Sequence, residues 1–333
     1  MRLAINGYGR VGRCILRAIF DMGLEKEFQV VAINDLADPE LMCHLTQYDS
    51  TFGKFTSDVE YKKDEMWVKG EGIKLFSYSN ATELPWNDLN IDLCLECSGH
   101  YATRELASQH LTAGAKKVLV SQPCKGADKT IVYGVNHHQL TAKDIIVSNA
   151  SCTTNCLAPL LKVVNKTIGL RSGIMTTIHA YTNNQNLIDK ATGDFYRSRS
   201  ATQSMIPTRT GAAKAIGLVI PELEGKLHGM AIRIPTINVS LIDLTIVPEQ
   251  KTSIDELHQH IKYAAENDLK GVLAYNDKPL VSIDLTAHPA SSVFDANHTA
   301  MVGDQIKLMS WYDNEWAFSL RMLDVTRVLD SLA

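Results

Sequence analysis

The sequence predicts an α/β fold, with a doubly wound parallel sheet in the first 150 residues and antiparallel strands after it. Three observations predict it. A glycine-rich turn joins the first apolar strand to a helix, short apolar strands then alternate with helical stretches, and a long alternating strand covers 229–247. A chain of 333 residues is long enough for two domains.

The composition is that of a globular protein, with 45% apolar and 21% charged residues. The net charge of −4 gives no general attraction to nucleic acid or anionic membranes, so neither is expected as a primary partner. Because no apolar run approaches the roughly 18 residues of a membrane span and the start has no signal-peptide profile, we expect a cytoplasmic protein.

The seven cysteines do not predict a disulfide framework or a metal site, since their number is odd in a long chain. Cys94 and Cys97 form a C-x-x-C within a predicted buried strand, where side chains three apart point to opposite faces. There is no second such pair and no H-E-x-x-H motif. We therefore expect no bound metal.

The glycine-rich turn has the spacing of a dinucleotide-binding loop, Gly7-x-Gly9-x-x-Gly12. Gly7 permits the tight turn, Gly9 lets a pyrophosphate approach the backbone, and Gly12 allows close helix–strand packing. A second strand ends in Asp35, whose carboxylate is placed to bind ribose hydroxyls and to repel a 2′-phosphate. The pattern predicts NAD binding; the alternative is a glycine-rich turn in an α/β domain without a nucleotide.

Further strands and one helix continue the parallel pattern. Strands are predicted at 91–99, 116–123, 130–136 and 144–149, and a helix at 101–115. Because ligands bind at the carboxyl ends of such strands, Ser98, Gly99 and Ser121 are candidate cofactor neighbours, although each is equally compatible with an ordinary turn.

The segment "SNASCTTNCLAP", 148–159, places a thiol where a helix begins. Helical spacing from Thr153 onward puts Cys152 at the helix N-terminus, whose partial positive charge favours the thiolate and lowers the pKa. Cys156, one turn later, is expected to be packed. A buried, inert Cys152 is the alternative, which its polar neighbours disfavour.

A thiolate nucleophile needs a base, and His179 ends the apolar strand "SGIMTTIHAYT". The region 183–206 has no clear periodicity, which is typical of a functional or interface segment. Thr210 and Gly211 lead into a helix whose N-terminus suits an anion. Arg233 lies in an apolar run and needs a ligand or, alternatively, a buried ion pair. These features predict a site for two phosphates.

The segments that carry a family resemblance are "INGYGRVGR", "VVAIND", "YDSTFGKF", "SNASCTTNCLAP", "TTIHAYT", "PTRTGAAKAIGLVIPELEGKL", "MAIRIPTINVS", "PLVSIDL" and "WYDNEWAFS". Over essentially its full length the chain resembles phosphorylating glyceraldehyde-3-phosphate dehydrogenases. The resemblance implies a homotetramer, with a Rossmann NAD-binding domain (1–151 and 316–333) and an α+β catalytic domain with a mainly antiparallel sheet (152–315).

The resemblance also implies residue roles, with Cys152 as nucleophile and His179 as base. Residues implied to bind the phosphorylated aldehyde and inorganic phosphate are Ser151, Thr153, Thr182, Arg197, Thr210, Gly211 and Arg233. Residues assigned to NAD by the resemblance and the motifs are Gly7, Gly9, Arg10, Val11, Gly12, Asp35, Ser98, Gly99, Ser121 and Asn314, the last at the nicotinamide carboxamide or in a simple turn.

The implied reaction is NAD-dependent oxidation and phosphorylation of glyceraldehyde 3-phosphate to 1,3-bisphosphoglycerate through a cysteine thioester. The alternative is the sister family, erythrose-4-phosphate dehydrogenase, in which water attacks the thioester. Phe318, where the family often has Tyr, favours that alternative slightly, whereas Thr210 and Gly211 favour an enzyme that uses phosphate. Lys190 and Ala191 replace a Leu-Pro pair common in strictly NAD-dependent members.

Overall fold

The computed structural model describes residues 1–332, which fall into two compact units. The first unit comprises Met1–Ile131, His137–Ala150 and the chain from Ser319 onward. The second comprises Val132–Asn136 and Ser151–Phe318. Each unit contains a large sheet of its own.

The strands, numbered along residues 1–332, are β1 Arg2–Asn6, β2 Gln29–Asn34, β3 Tyr48–Asp49, β4 Gly53–Lys54, β5 Val59–Lys62, β6 Glu65–Val68, β7 Glu71–Phe76, β8 Leu93–Glu96, β9 Lys117–Val120, β10 Lys129–Thr130, β11 Ile146–Ser148, β12 Leu170–Ala180, β13 Ile206–Arg209, β14 Leu227–Ile234, β15 Ser240–Pro248, β16 Leu273–Asn276, β17 Ser292–Val302 and β18 Gln305–Tyr312. The α-helices are α1 Arg10–Asp21, α2 Pro39–Gln47, α3 Arg104–Ala107, α4 Gln109–Thr112, α5 Cys152–Ile168, α6 Ala212–Val219, α7 Ile254–Glu266 and α8 Trp316–Ser331.

The sheet of the first unit has the strand order β10-β11-β9-β8-β1-β2-β7-β6-β5. It is parallel from β10 to β7, whereas β7, β6 and β5 pair antiparallel. The strands β8, β1, β2 and β7 are neighbours and therefore present their carboxyl ends along one edge. The glycine-rich turn leaves β1 at this edge and leads into α1. The predicted doubly wound arrangement is confirmed.

Two element predictions in this region are wrong. The predicted helix over 101–115 is two short helices, α3 and α4, that meet at Ser108. The predicted strand over 130–136 is reduced to β10, which overlaps it only at Thr130. Beyond Thr130 the backbone turns, with Gly134 at a φ of +83° and the Val132 N–H donating to the Asn136 side chain. These local bonds replace the ladder that a strand needs.

The sheet of the second unit has the order β13-β14-β12-β15-β18-β17-β16 and is mainly antiparallel, as predicted. The single strand predicted over 229–247 is wrong, because β14 ends at Ile234 and β15 begins at Ser240. Pro235 has no N–H for a ladder bond, and Val239 adopts a φ of +65°. The break lets β14 lie parallel to β12 while β15 runs antiparallel to it.

Helix α5 begins where the thiol segment predicts. The Ser151 side chain caps it by accepting a hydrogen bond from the Thr154 N–H at 3.1 Å. The helix ends at Gly169, whose φ of +68° suits glycine and whose added Cβ would lie 2.7 Å from Glu249. Its apolar residues pack on β15, β17 and β18. Within residues 1–332, no helix has the length and apolar character required to cross a membrane.

Gly7→Ala is expected to destabilise the first unit by about 2 kcal/mol or more. Gly7 has a φ of +87°, and an added Cβ would lie 2.3 Å from the Ser98 backbone. Urea unfolding without NAD measures the loss. Gly9→Ala is the matched control, since no atom lies within 4 Å of its added Cβ. Equal losses in the two variants would contradict this account of the turn.

Candidate active site

The second unit brings a thiol and an imidazole together. Cys152 is the first residue of α5, and His179 is the penultimate residue of β12. Cys152 Sγ lies 3.6 Å from His179 Nε2, within the distance of a sulfur hydrogen bond. His179 is 3% exposed, and the Tyr312 ring meets it edge-on with centroids 5.8 Å apart. The predicted proximity of the thiol and the histidine is therefore present.

The other ring nitrogen of His179 has two competing neighbours. Nδ1 lies 2.7 Å from the Ala180 carbonyl oxygen and 2.6 Å from Arg233 Nη1. A carbonyl only accepts, so a proton on Nδ1 satisfies Ala180 and leaves the Nε2 lone pair for the thiol proton. A guanidinium only donates, so Arg233 favours the opposite tautomer, in which Nε2–H points to sulfur. The two neighbours of Nδ1 thus favour opposite tautomers of His179.

Burial makes both members of the pair neutral. It raises the pKa of the Cys152 thiol, which protein surrounds although part of the residue reaches solvent, and it outweighs the opposing Arg233 charge. Burial, followed by the Arg233 charge, lowers the pKa of His179 to about 3. The expectation that the helix N-terminus lowers the pKa of Cys152 is wrong, because desolvation of the sulfur is the larger effect.

Arg233 reaches the site because β14 pairs with β12 in a register that sets Arg233 opposite His179. Its Nη1 donates to the Ala180 carbonyl at 3.0 Å, and its buried Nε has no hydrogen-bond partner in the described chain. Burial lowers the pKa of Arg233, and the nearby Arg197 charge lowers it further. No carboxylate of residues 1–332 forms an ion pair with Arg233, so the alternative of a buried ion pair is wrong. An anionic ligand would satisfy Nε.

The remaining predicted substrate residues make hydrogen bonds of their own. Arg197 Nε donates to the Thr208 hydroxyl at 3.1 Å, and Thr153 bonds the Tyr312 hydroxyl at 2.9 Å. The predicted residues that make local turn or cap bonds are Ser151, which caps α5, Thr182, which bonds Gln185, and Thr210, which accepts from the Ala212 N–H beside Gly211 at the start of α6. Helix α6 packs against α5.

Tyr312 is a site residue that the sequence reasoning missed. Its hydroxyl lies 2.9 Å from the Thr153 hydroxyl and 2.7 Å from that of Thr177, and burial raises its pKa. It therefore remains a neutral phenol that fixes Thr153, the neighbour of Cys152. The available sequence signal was its place at the end of β18, two residues before Asn314.

The first unit has a cavity of about 540 Å³ at the carboxyl ends of its central strands. Its lining residues are Asn6, Gly7, Gly9, Asn34, Asp35, Leu36, Tyr78, Ser79, Cys97, Ser98, His100, Tyr101, Leu106 and Gln109. Four of the predicted cofactor residues, Gly7, Gly9, Asp35 and Ser98, lie there. The polar strand ends Asn6 and Asn34 were missed, although the rule that places ligands at these ends would have found them.

The turn beside the cavity has the close packing and open backbone of a dinucleotide-binding loop. The space beside Gly9 is open, and a Cβ on Gly12 would lie 2.5 Å from the Gly7 carbonyl oxygen, so the turn can be this close only with glycine. Asp35 stabilises the same turn, because its carboxylate accepts from the Tyr8 N–H at 2.6 Å and from the Ala37 N–H at 2.9 Å.

The other residues assigned to NAD do not line this cavity. The Arg10 side chain bonds the Asp49 carboxylate and lies over the Phe52 ring. Val11 contributes its carbonyl to the Ser319 hydroxyl, Gly12 packs under the turn, and Gly99 and Ser121 follow β8 and β9. Asn314 belongs to the second unit, where its Oδ1 accepts from the Ser240 hydroxyl at 2.9 Å.

Comparison with known proteins shows the family. Residues 1–104 match the NAD-binding domain of glyceraldehyde 3-phosphate dehydrogenase, and residues 151–314 match the C-terminal domain. This chain belongs to the glyceraldehyde 3-phosphate dehydrogenase family. In the family match, Cys152, His179 and Arg233 all fall within the C-terminal domain, and most of the cavity falls within the NAD-binding domain.

Several curated family members are similar along nearly their whole length. A glyceraldehyde-3-phosphate dehydrogenase of Pseudomonas aeruginosa is 54% identical over 97% of this chain and 96% of its own. The chromosomal enzyme of Cupriavidus necator is 52% identical over 99% and 98%, and glyceraldehyde-3-phosphate dehydrogenase 1 of Bacillus cereus is 44% identical over 99% and 98%. In residues 1–332 of this family member, no group of three or more His, Cys, Asp or Glu is arranged to hold a metal ion.

The buried His179 predicts a pH dependence of stability. The pKa of His179 is about 3 in the folded chain and near 6.5 in the unfolded chain. Between these pH values the unfolded state binds one proton more than the folded state, so the free energy of unfolding decreases as the pH is lowered. Lowering the pH from 7 to 5 should cost about 2 kcal/mol through this group.

Urea unfolding at the two pH values measures this cost. His179→Gln should show a smaller loss between pH 7 and 5 than the unsubstituted chain. His228→Gln, at an exposed position of β14 in the same unit, serves as control and should keep the full loss. A His179→Gln variant with the full loss would refute the buried neutral imidazole.

Proposed function

We propose that this chain oxidises and phosphorylates glyceraldehyde 3-phosphate to 1,3-bisphosphoglycerate with NAD as cofactor. The observation that carries the proposal is the 3.6 Å contact of Cys152 Sγ with a buried, neutral His179 beside Arg233. The relatives named glyceraldehyde-3-phosphate dehydrogenase support the same substrate. The residues proposed to hold NAD in the first unit are those of the glycine-rich turn together with Asp35 and Ser98.

Catalysis begins with proton transfer inside the neutral pair. As Cys152 Sγ bonds to the aldehyde carbon, the thiol proton passes to His179 Nε2 and the carbonyl oxygen becomes an oxyanion. The N–H groups at the start of α5 and the new imidazolium stabilise that oxyanion. A bound NAD would supply the hydride acceptor for this carbon, and Cys152 would then hold the substrate as a thioester. An oxygen of inorganic phosphate then attacks, the thiolate leaves and regains its proton from His179, and the phosphate proton passes to solvent.

The substrate phosphate is proposed to activate the base by binding Arg233. The guanidinium lies 2.6 Å from His179 Nδ1 and lowers the pKa of the imidazole. A phosphate dianion bound to the unpartnered Nε would offset that charge and draw the guanidinium away from Nδ1. The proton on Nδ1 can then donate to Ala180, which frees Nε2 to accept. Binding and base activation would therefore depend on the same arginine.

Arg233→Met is expected to reduce kcat/KM for glyceraldehyde 3-phosphate about 10- to 100-fold, the loss of a charged hydrogen bond. For unphosphorylated glyceraldehyde, whose reaction has no phosphate to bind, kcat/KM should change much less. Steady-state kinetics with both aldehydes measure the ratio. Arg171→Met, the control, removes an exposed ion pair with Asp304 and should leave the ratio of the two kcat/KM values unchanged. Equal losses for both aldehydes would refute the phosphate role of Arg233.

The requirement for inorganic phosphate tests the proposed reaction directly. NADH formation from glyceraldehyde 3-phosphate should be at least about 10-fold faster with phosphate than without it, because the thioester otherwise awaits slow hydrolysis. Erythrose 4-phosphate should be the poorer substrate. Phosphate-independent turnover with a preference for erythrose 4-phosphate would overturn the proposal in favour of the sister reaction. Cys152→Ser is the control, expected to lose NADH formation but to retain NAD binding.

The family resemblance also implies domain limits, an oligomeric state and a cellular location. We propose residues 1–151 and 316–333 as the NAD domain and 152–315 as the catalytic domain, supported by nearby compact-unit boundaries, between Ala150 and Ser151 and between Phe318 and Ser319. Assembly into a homotetramer is supported by the apolar exposure of the segment 187–205, where Phe195 is 96% exposed. A cytoplasmic location stays a prediction.

A further inference from the structure

Hydrogen bonds of side chains connect the carboxyl ends of four neighbouring strands at the cofactor cavity. Asn34, the last residue of β2, donates to Asn6 Oδ1 at 2.8 Å, and Asn6, the last of β1, donates to Glu96 Oε2 at 2.5 Å. On the other side Asn34 exchanges bonds with the Tyr78 backbone, at 2.8 Å and 3.0 Å, just after β7. The chain of bonds ends at Glu96, the last residue of β8.

Glu96 is a fully buried carboxylate with four donors. Besides Asn6, it accepts from His110 Nε2 at 3.0 Å and from the Ser98 N–H and hydroxyl at 2.7 Å and 2.6 Å. No lysine or arginine of residues 1–332 forms an ion pair with it. A buried charge is expensive unless hydrogen bonds satisfy it, so these donors are held in place by the carboxylate.

The tautomer of His110 follows from its second neighbour. The Trp86 indole N–H donates to His110 Nδ1 at 3.2 Å, so Nδ1 accepts and the ring proton lies on Nε2, toward Glu96. His110 and Trp86 are fully buried and do not line the cavity. His110 therefore bonds Glu96 from outside the cavity lining.

We propose that Glu96 is a positioning residue for NAD, an inference that rests on the proposed function. Asn6, Asn34, Tyr78 and Ser98 line the cavity, whereas Glu96 does not. The Ser98 hydroxyl donates its hydrogen to Glu96, and its oxygen accepts from the His100 N–H at 3.1 Å. The hydroxyl therefore has no hydrogen left to donate, and its second lone pair is the acceptor that remains for a ligand. It therefore suits a ligand hydroxyl donor such as a ribose.

Glu96→Gln tests the inference, since an amide cannot accept from all four donors in either orientation. NAD affinity, measured by calorimetry on the full chain well below its melting temperature, should fall about 10-fold or more. KM for NAD should rise by a similar factor while kcat stays within about twofold. Gln47→Glu is the matched control. Gln47 is a buried residue of the same unit, bonded to Phe55, Ser57 and Val59 and outside the cavity.

Gln47→Glu should lower the melting temperature yet leave NAD affinity unchanged. A Glu96→Gln variant that melts lower but binds NAD normally would overturn the inference and make Glu96 structural only. An unsubstituted chain without NAD affinity would instead contradict the proposed function itself. If Glu96→Gln does not fold, His110→Phe removes one donor outside the cavity; a loss of about threefold in affinity supports the inference, and unchanged affinity overturns it.

Discussion

The contact between Cys152 Sγ and His179 Nε2 is the interaction on which the proposed chemistry of the second unit depends. Three features arrange the residues of this site. Ser151 caps α5 so that the helix begins at the thiol, β12 carries the imidazole to its end, and the β12–β14 register sets Arg233 beside Nδ1. Tyr312 at the end of β18 completes the arrangement, because its hydroxyl bonds that of Thr153 while its ring meets that of His179 edge-on.

Burial opposes charge on both members of this pair. Desolvation raises the pKa of the thiol and lowers the pKa of the imidazole, so charge separation inside the empty pair is unfavourable. An anionic substrate changes this balance, since its charge offsets Arg233 and stabilises an imidazolium. In the proposed reaction the thiol would therefore lose its proton as it bonds to the electrophile.

In the first unit, the polar side chains at the strand ends hold the binding edge of the sheet together. Hydrogen bonds between the side chains of Asn6, Asn34 and Glu96 fix the edge of the sheet, and Gly7 lies against the Ser98 backbone at the same place. A glycine-rich turn alone supplies N–H groups for phosphates. The buried network connects that cavity wall to Glu96, which does not line the cavity and is proposed to act on the cofactor only through the residues that do.

The sequence by itself determined the doubly wound sheet, the glycine-rich turn after β1, Asp35 at the end of β2, and the start of α5 at Cys152, because periodicity, turn chemistry and caps act over a few residues. It did not determine the break at Pro235–Val239, the shortness of β10, or the pKa of Cys152. These depend on which strands pair and on how much protein surrounds the sulfur. Tertiary structure alone placed Tyr312, Arg233 and the Glu96 network, since their partners lie tens of residues away and only folding brings such donors and acceptors within hydrogen-bond distance.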